Sequence, residues 1–563
     1  IDGSYKIGYF SGENVGGCSA AAAYDCYIPP IKDGTSGNRT KIYGSHWNLG
    51  CDRKAELYGS GRLTGIIGMG GSDHVEFQCI ELTQHSTCNE FISGVHPNNC
   101  STSSPYTDDN YSRRGIWTDP ASGVYSTDVL FKNMYIHRLG IYGIQMSIVK
   151  DIVIQDTVIE GIAEGSPIQF TIGALGSPTD NTFTIQRSVI QFNGCIQEYP
   201  ITSIGADQFS LCCAQTNCGN TTDGIEINSV VDSLGTVLIE DSILSHNTHD
   251  GIDLLHGNGQ GSATIRRCYI AGNQGNQVKV ANDTIIEDSV IEGRCSYFHS
   301  TWSGKRCVLA DGCSNNGLYC RASGDTIVSD FKKTGQYIKI YGSTILTEGN
   351  VALMVQGQNG ICNGTETVLS RNNVWVGGDQ WDANNNVYKS GDDVDDYYNA
   401  GSDGNGAGSC GSGGTAPVPD RDHDIWVNFK TGPTPTSTLL VQDPSLTDLT
   451  VVVGANESAT SSWQCANLND CMTSSGLIPS VASPALNLAD NTIVGLTGTD
   501  VNNFTRNSNK SAGGVERTSI KQCYNGIQDG GETGIDCGGS FCIACPSGSR
   551  INNITPIGSI KFQ

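Results

Sequence analysis

Two short acidic segments, Asp223-Gly-Ile-Glu226 and Asp250-Gly-Ile-Asp253, lie 27 residues apart, and Lys279 follows 26 residues after Asp253. If Ile225, Ile252 and Val278 point inward from a coiled chain, strand alternation puts Glu226, Asp253 and Lys279 outward on successive coils. Asp223, Asp250 and Asn276 then line the adjoining corner, with His249 and His256 close by. Carboxylates stacked beside a lysine can act as acid and base, or hold a cation while the lysine abstracts a proton. Glu226, Asp250, Asp253 and Lys279 are therefore the candidate catalytic residues. A simpler reading competes: Asp-Gly is good turn chemistry, and an acid–acid–lysine column partly neutralises itself. No Ser-His-Asp pattern, phosphate loop or metal motif stands out. Asp392, Asp393, Asp395 and Asp396 offer oxygens that suit calcium, without the spacing of an EF-hand.

The elements that must position these residues are legible in five repeats: Ile154-Gln-Asp-Thr-Val-Ile159, Ile185-Gln-Arg-Ser-Val-Ile190, Ile239-Glu-Asp-Ser-Ile-Leu244, Ile265-Arg-Arg-Cys-Tyr-Ile270 and Ile286-Glu-Asp-Ser-Val-Ile291. The leading Ile positions are separated by 31, 54, 26 and 21 residues, and 54 is twice 27. β-branched alternation with no helical period, repeating in the twenties, predicts a wound solenoid of strands, a parallel β-helix. One and two positions after each Ile, the columns run Gln155, Gln186, Glu240, Arg266, Glu287 and Asp156, Arg187, Asp241, Arg267, Asp288. In-register strands about 4.8 Å apart make opposite charges neighbours there. Eight positions after the Ile, Asn193, Asn247 and Asn273 predict a turn ladder of shared amide hydrogen bonds with left-handed backbone.

Composition adds a compartment. The 71 glycines suit tight corners, and 23 cysteines are too many for a reducing environment. They predict disulfides in a secreted protein, bracing long loops at 192–222 and 292–330, and the odd count leaves a free thiol or an intermolecular bridge. Sequons at Asn38, Asn110, Asn220, Asn282, Asn363, Asn456, Asn503, Asn509 and Asn553, with a weaker one at Asn99, predict covalent glycans. The chain opens at Ile1 without an apolar leader, as expected if a signal peptide has been removed. It holds no apolar run of membrane-spanning length. A formal charge of −24 argues against nucleic acid, and against acidic polysaccharide unless a divalent cation bridges the two.

The predicted organisation is an N-terminal Cys/Gly-rich cap over 1–70 and a parallel β-helix over 71–376. A Gly/Asp/Ser-rich insert follows over 377–424, then a closing β-helix segment over 425–516. A disulfide module at 523–545 and a tail at 546–563 end the chain. In the module, Cys523, Cys537, Cys542 and Cys545 hold a segment too small for a core, and three pairings are open.

Gln442-Asp-Pro-Ser-Leu446, Ala482-Ser-Pro-Ala-Leu-Asn487 and the final Gly513-Gly-Val-Glu516 resemble the closing segment of secreted right-handed parallel β-helix repeat proteins, a pectate-lyase-like superfold. Asp250-Gly-Ile-Asp-Leu-Leu-His256 and Gly275-Asn-Gln-Val-Lys279 look like the same group. The resemblance covers roughly 40–516 and implies an all-β, right-handed parallel β-helix with disulfide-braced loops. The group includes lyases, hydrolases and adhesins, so activity does not follow from it. The 523–545 unit resembles a Cys-rich module of secreted surface proteins. The acid and lysine face looks like a reduced pectin-degrading site. Asn247-Thr-His-Asp250 only loosely matches the Asn-Thr-Asp of polygalacturonases, and neither Gly-His-Gly nor Arg-Ile-Lys occurs.

With these signatures incomplete, the sequence leans away from an enzyme. It predicts a secreted, glycosylated structural or cell-surface protein, a subunit of an extracellular fibril or coat. Such a chain would associate with itself or with other matrix proteins. The alternative is a polysaccharide lyase, glycoside hydrolase or glycan-binding module that uses the Glu226, Asp253 and Lys279 face.

Overall fold

The computed structural model describes residues 1–8, 28, 31–60, 65–85, 112–118, 126–147, 149–162, 165–172, 181–194, 223–229, 235–257, 259–273, 275–293, 325–348, 351–357, 364–377, 379–382, 387–399, 417–427, 429–431, 440–441, 500 and 512–514. Two compact units divide the chain, Ile1–Glu516 and Arg517–Gln563. The four module cysteines fall in the second, outside the described residues.

The first unit is a right-handed parallel β-helix of three long sheets. One coil shows the path: Thr182–Gln186 lies in sheet 1, Val189–Gln191 in sheet 2 and Ile225–Ser229 in sheet 3, and Thr236–Glu240 returns to sheet 1. The five repeats stack as their sequence implies, with Ile154, Ile185, Ile239, Ile265 and Ile286 in unbroken register. All five are at most 1% exposed, and burying each such side chain contributes about 1.5–3 kcal/mol. Phe77 and Phe131 extend that inward column, and their rings stack 5.7 Å apart.

The small residue of each repeat has a definite task at the corner from sheet 1 to sheet 2. Ser188 donates its hydroxyl to the Gln186 carbonyl and accepts the Thr157 N–H from the neighbouring coil. Ser242 does the same for Ser188, and Ser289 for Cys268, so a hydroxyl ladder pairs groups that burial would otherwise leave unsatisfied. Cys268 occupies this column as a buried free thiol. Asp156, Arg187, Asp241, Arg267 and Asp288, just before it, all turn left-handed, with φ between 47° and 52°. Their charges alternate as expected: Arg187 pairs with Asp156 at 2.6 Å, and Arg267 with Asp241 at 2.7 Å.

Asn193, Asn247 and Asn273 form the predicted amide ladder, Nδ2 to Oδ1 at 2.9 and 2.8 Å. The left-handed position, however, belongs to the residue before each of them, Phe192, His246 and Gly272. The asparagines themselves are fully buried and lack a positive φ.

Other expectations are corrected. The 54-residue gap is one coil rather than two, because Thr182–Gln186 pairs directly with Thr236–Glu240. Coils also begin before residue 70: Ser4–Gly8, Thr40–Tyr43, Ala55–Ser60 and Ile67–Gly68 already belong to the three sheets. These strands lack the six-residue pattern, so periodicity does not find them. A Cys51–Cys79 disulfide ties the early coils. Val387–Asn399, expected within an insert, pairs parallel with Val351–Gly357 and extends sheet 3. Ile425–Val427 continues sheet 2. The closing Gly513 and Gly514 lie back on the stack, donating to the Asn372 carbonyl and the Thr344 hydroxyl. The cysteines expected to brace 192–222 and 292–330 lie outside the described residues.

Candidate active site

Strands Ile225–Ser229, Ile252–Leu254 and Val278–Val280 stack in sheet 3, with Ile225, Ile252 and Val278 in register and fully buried. Glu226, Asp253 and Lys279 therefore form one outward column, and Asp223, Asp250 and Asn276 lie at its entry. The glycine of each Asp-Gly pair serves close approach rather than a left-handed turn. A Cβ on Gly251 would stand 2.6 Å from the Gln277 carbonyl and 2.7 Å from Asn273 Nδ2.

The entry carboxylates tie one coil to the next. Asp223 accepts the Asp250 N–H at 3.1 Å, and Asp250 accepts the Asn276 N–H at 2.6 Å. Lys279 Nζ donates to Asp250 Oδ2 at 2.8 Å and to Asp253 Oδ2 at 3.0 Å. These carboxylate side chains are 0% and 2% exposed and the lysine 13%, so this is a nearly dry ion cluster. Asp253 also accepts the Leu255 N–H, and His256 lies 3.7 Å away. His249 Nδ1 is hydrogen-bonded to Asp223 and sits 3.4 Å from Asp250. Glu226 is engaged on the opposite side, accepting from Ser166 and Gln169.

Two groups are electrostatically perturbed. Burial pushes the Asp223 carboxyl up to about 6, against the pull of the adjacent His249. Burial works against the Lys279 ammonium, but Asp250 and Asp253 outweigh it and hold the amine protonated well above its ordinary range. The nearest ligand atoms of Asp223, His249 and Asp250 all fall within 4.8 Å of one another, a spacing that fits a divalent cation. The two carboxylates suit calcium; the imidazole is the donor a transition metal would prefer.

Sequence reasoning thus placed Asp250, Asp253 and Lys279 together correctly and put Glu226 in their column, although Glu226 bonds elsewhere. It placed His249 nearby without assigning it the Asp223 and Asp250 contacts, because adjacency along the chain does not reveal which corner a side chain turns into. Among the sequons, Asn38 is exposed in a turn. Asn282 is fully buried and donates Nδ2 to the Gln260 carbonyl at 2.6 Å, so a glycan there would have to displace that bond. The remaining sequons lie outside the described residues, as do nearly all the cysteines, whereas the Asp392–Asp396 run falls on the Val387–Asn399 strand. Among the described residues, no helix is long and apolar enough to cross a membrane.

No family model and no curated protein matches the chain. Among solved structures it is similar to pectate lyase Pel9A, at 12% identity and a TM-score of 0.37, covering 87% of this chain and 86% of that one. It is similar to the PL6 family alginate lyase AlyGC at 12% identity and a TM-score of 0.36, covering 73% of this chain but only 49% of that one. A third likeness is the mannuronan C-5 epimerase AlgE4 A-module of Azotobacter vinelandii, at 12% identity and a TM-score of 0.28, covering 62% and 84%. The fold assignment rests on the stacked strands themselves rather than on these likenesses.

Proposed function

We propose that the chain is a polysaccharide-active enzyme working by proton transfer, a lyase acting on a uronate polymer at the Asp223, His249, Asp250, Asp253 and Lys279 cluster. One observation carries this reading: Lys279 is clamped between two carboxylates that are almost wholly shielded from water. Burial along the charge ladder varies more widely, from Arg187 and Asp156, with 47% and 28% of their side chains exposed, to Arg267 and Glu240, with 12% and 8%. Desolvating ions costs several kcal/mol each, and the coils stack without it. Such clusters are where acid–base chemistry is found.

The chain's own groups divide the work. In β-elimination the proton on the carbon beside the sugar carboxylate passes to a base. Its electron pair becomes the new double bond, and the glycosidic oxygen leaves with a proton from an acid. The acceptor is the His249 imidazole, steadied through Nδ1 by Asp223, so proton exchange runs through Nε2. The Asp223 carboxyl, titrating at about 6, keeps this pair responsive near neutral pH. Lys279 supplies the positive charge for the developing anion and the proton for the leaving oxygen. A divalent cation held by the Asp223 and Asp250 carboxylates would add positive charge for an acidic sugar and leave the imidazole free for proton transfer.

Mass spectrometry of digests of uronate polymers tests the reading. Elimination fragments are one water lighter than hydrolysis fragments. Hydrolytic masses would reassign the site to a glycosidase. Intact polymer under all calcium conditions, with fibres in negative-stain micrographs, would instead support the fibril or coat.

A further inference from the structure

The outward face of sheet 3 carries more than the cluster. The column of Lys279, Asp253 and Glu226 continues through Gln169, Gln145 and Trp117. Those five steps at about 4.8 Å each span about 24 Å. Beside it runs a second column in which Arg114 pairs with Tyr142 across the strands. Side chains along this face are linked end to end. Arg114 Nε donates to Gln145 at 2.5 Å, Gln145 to Gln169 at 2.6 Å, and Gln169 to Glu226 at 2.7 Å. At the far end, the Arg114 guanidinium lies 5.9 Å from the Trp117 ring centre and 5.5 Å from that of Tyr142. In the other direction this column turns apolar at once. Val328, next in register after Lys279, forms a buried apolar cluster with Val351 and Met354.

A merely solvated sheet face needs no aromatic pair around an arginine, and a face meant for burial would not keep glutamines outward. We infer that this face is a one-sided binding track for a polysaccharide, with Arg114, Trp117 and Tyr142 forming a remote subsite for an acidic sugar unit. This rests on the polysaccharide reading above and adds the direction of the chain and the charge of the distant sugar. The guanidinium matches a carboxylate in its fork, while an aromatic ring offers a flat surface to the C–H face of a pyranose. Gln145 and Gln169 present amide groups to sugar hydroxyls along the way and hold Arg114 in line. The track points only toward the N-terminal coils, so long chains gain contacts on one side of the cluster.

Calorimetry with oligomers of galacturonic, mannuronic and glucuronic acid, from two units to eight, and with neutral glucose oligomers, tests this. For the wild-type chain, affinity for at least one acidic series steps up about tenfold once the oligomer reaches the remote subsite, the scale of one charge-assisted hydrogen bond. Arg114→Gln and Trp117→Ala each remove that step while leaving the shortest bound oligomer unchanged, and Arg114→Lys restores part of it. Unaltered circular dichroism and melting temperature separate this from misfolding. A wild-type curve without a step, variants that keep the step, or an equal step with neutral oligomers overturns the remote acidic subsite. If no oligomer of any length binds, the polysaccharide reading falls with it.

Discussion

Lys279→Met is the most informative single perturbation for stability. The substitution keeps the length of the side chain but removes the charge between Asp250 and Asp253. An exposed cross-strand pair would contribute about 0.2–1 kcal/mol, the expectation for an outward lysine judged from sequence. In the fold the two carboxylate side chains are 0% and 2% exposed, so the change strands buried charge. Breaking a buried pair in this way costs about 3–5 kcal/mol. The wild-type contribution of Lys279 follows from its raised pKa: it is fully present below the ordinary value of 10.5 and is lost only as pH rises through the higher folded-state value. In the variant, acid relieves the stranded carboxylates, so its deficit shrinks as pH falls toward the usual carboxylate range of about 4. Urea unfolding of both chains between neutral pH and that range measures the difference, and Asp250→Asn added to Lys279→Met should recover part of it. A deficit below about 1 kcal/mol, unchanged with pH, would refute the buried-cluster reasoning.

Three further outcomes follow from the structure. Burial raises Asp223 to about 6, Glu287 to about 7 and Asp424 to about 7, so each takes up a proton on folding in mildly acid solution. Their share of stability therefore increases as pH falls from about 7 toward ordinary carboxyl values, and Asp424→Asn should flatten part of that slope in melting curves. Asn247→Ala removes the middle of the amide ladder and takes from Asn193 Nδ2 the acceptor it uses at 2.9 Å, whereas Asn273 Oδ1 keeps the residue-247 backbone N–H. An unsatisfied buried group costs about 1–3 kcal/mol, readable in chemical denaturation. Gly251→Ala forces a Cβ to within 2.6 Å of the Gln277 carbonyl beside Asp250, so overpacking of about 1–3 kcal/mol should accompany loss of activity.

The β-helix was legible because its inward Ile column repeats one pattern, and the strands pair in that register. The corner chemistry was half legible. Ser188, Ser242 and Ser289 were visible as small residues, but their hydrogen bonds cross from coil to coil and have no signature along the chain. The acid and lysine cluster was legible through alternation and the 27-residue offset between Asp223 and Asp250. Its dryness was not, since neighbours separated by whole coils decide how much water reaches Asp250. Gln145, Gln169 and Arg114 went unremarked for a related reason: long excursions make their spacing irregular, and only the strand register aligns them. The Val387–Asn399 strand was hidden by its aspartates, whose β propensity is low; pairing with the preceding coil overrides it.

Ultraviolet absorbance during incubation with uronate polymers tests the central claim most directly, because elimination creates a conjugated double bond and hydrolysis does not. The account predicts a rise with the wild-type chain on at least one uronate polymer. Lys279→Ala and His249→Ala should each slow it by about 10²–10⁴-fold, the contribution typical of positioned acid–base groups. A flat wild-type trace across the panel, with and without calcium, would contradict it, as would a rise that survives both substitutions.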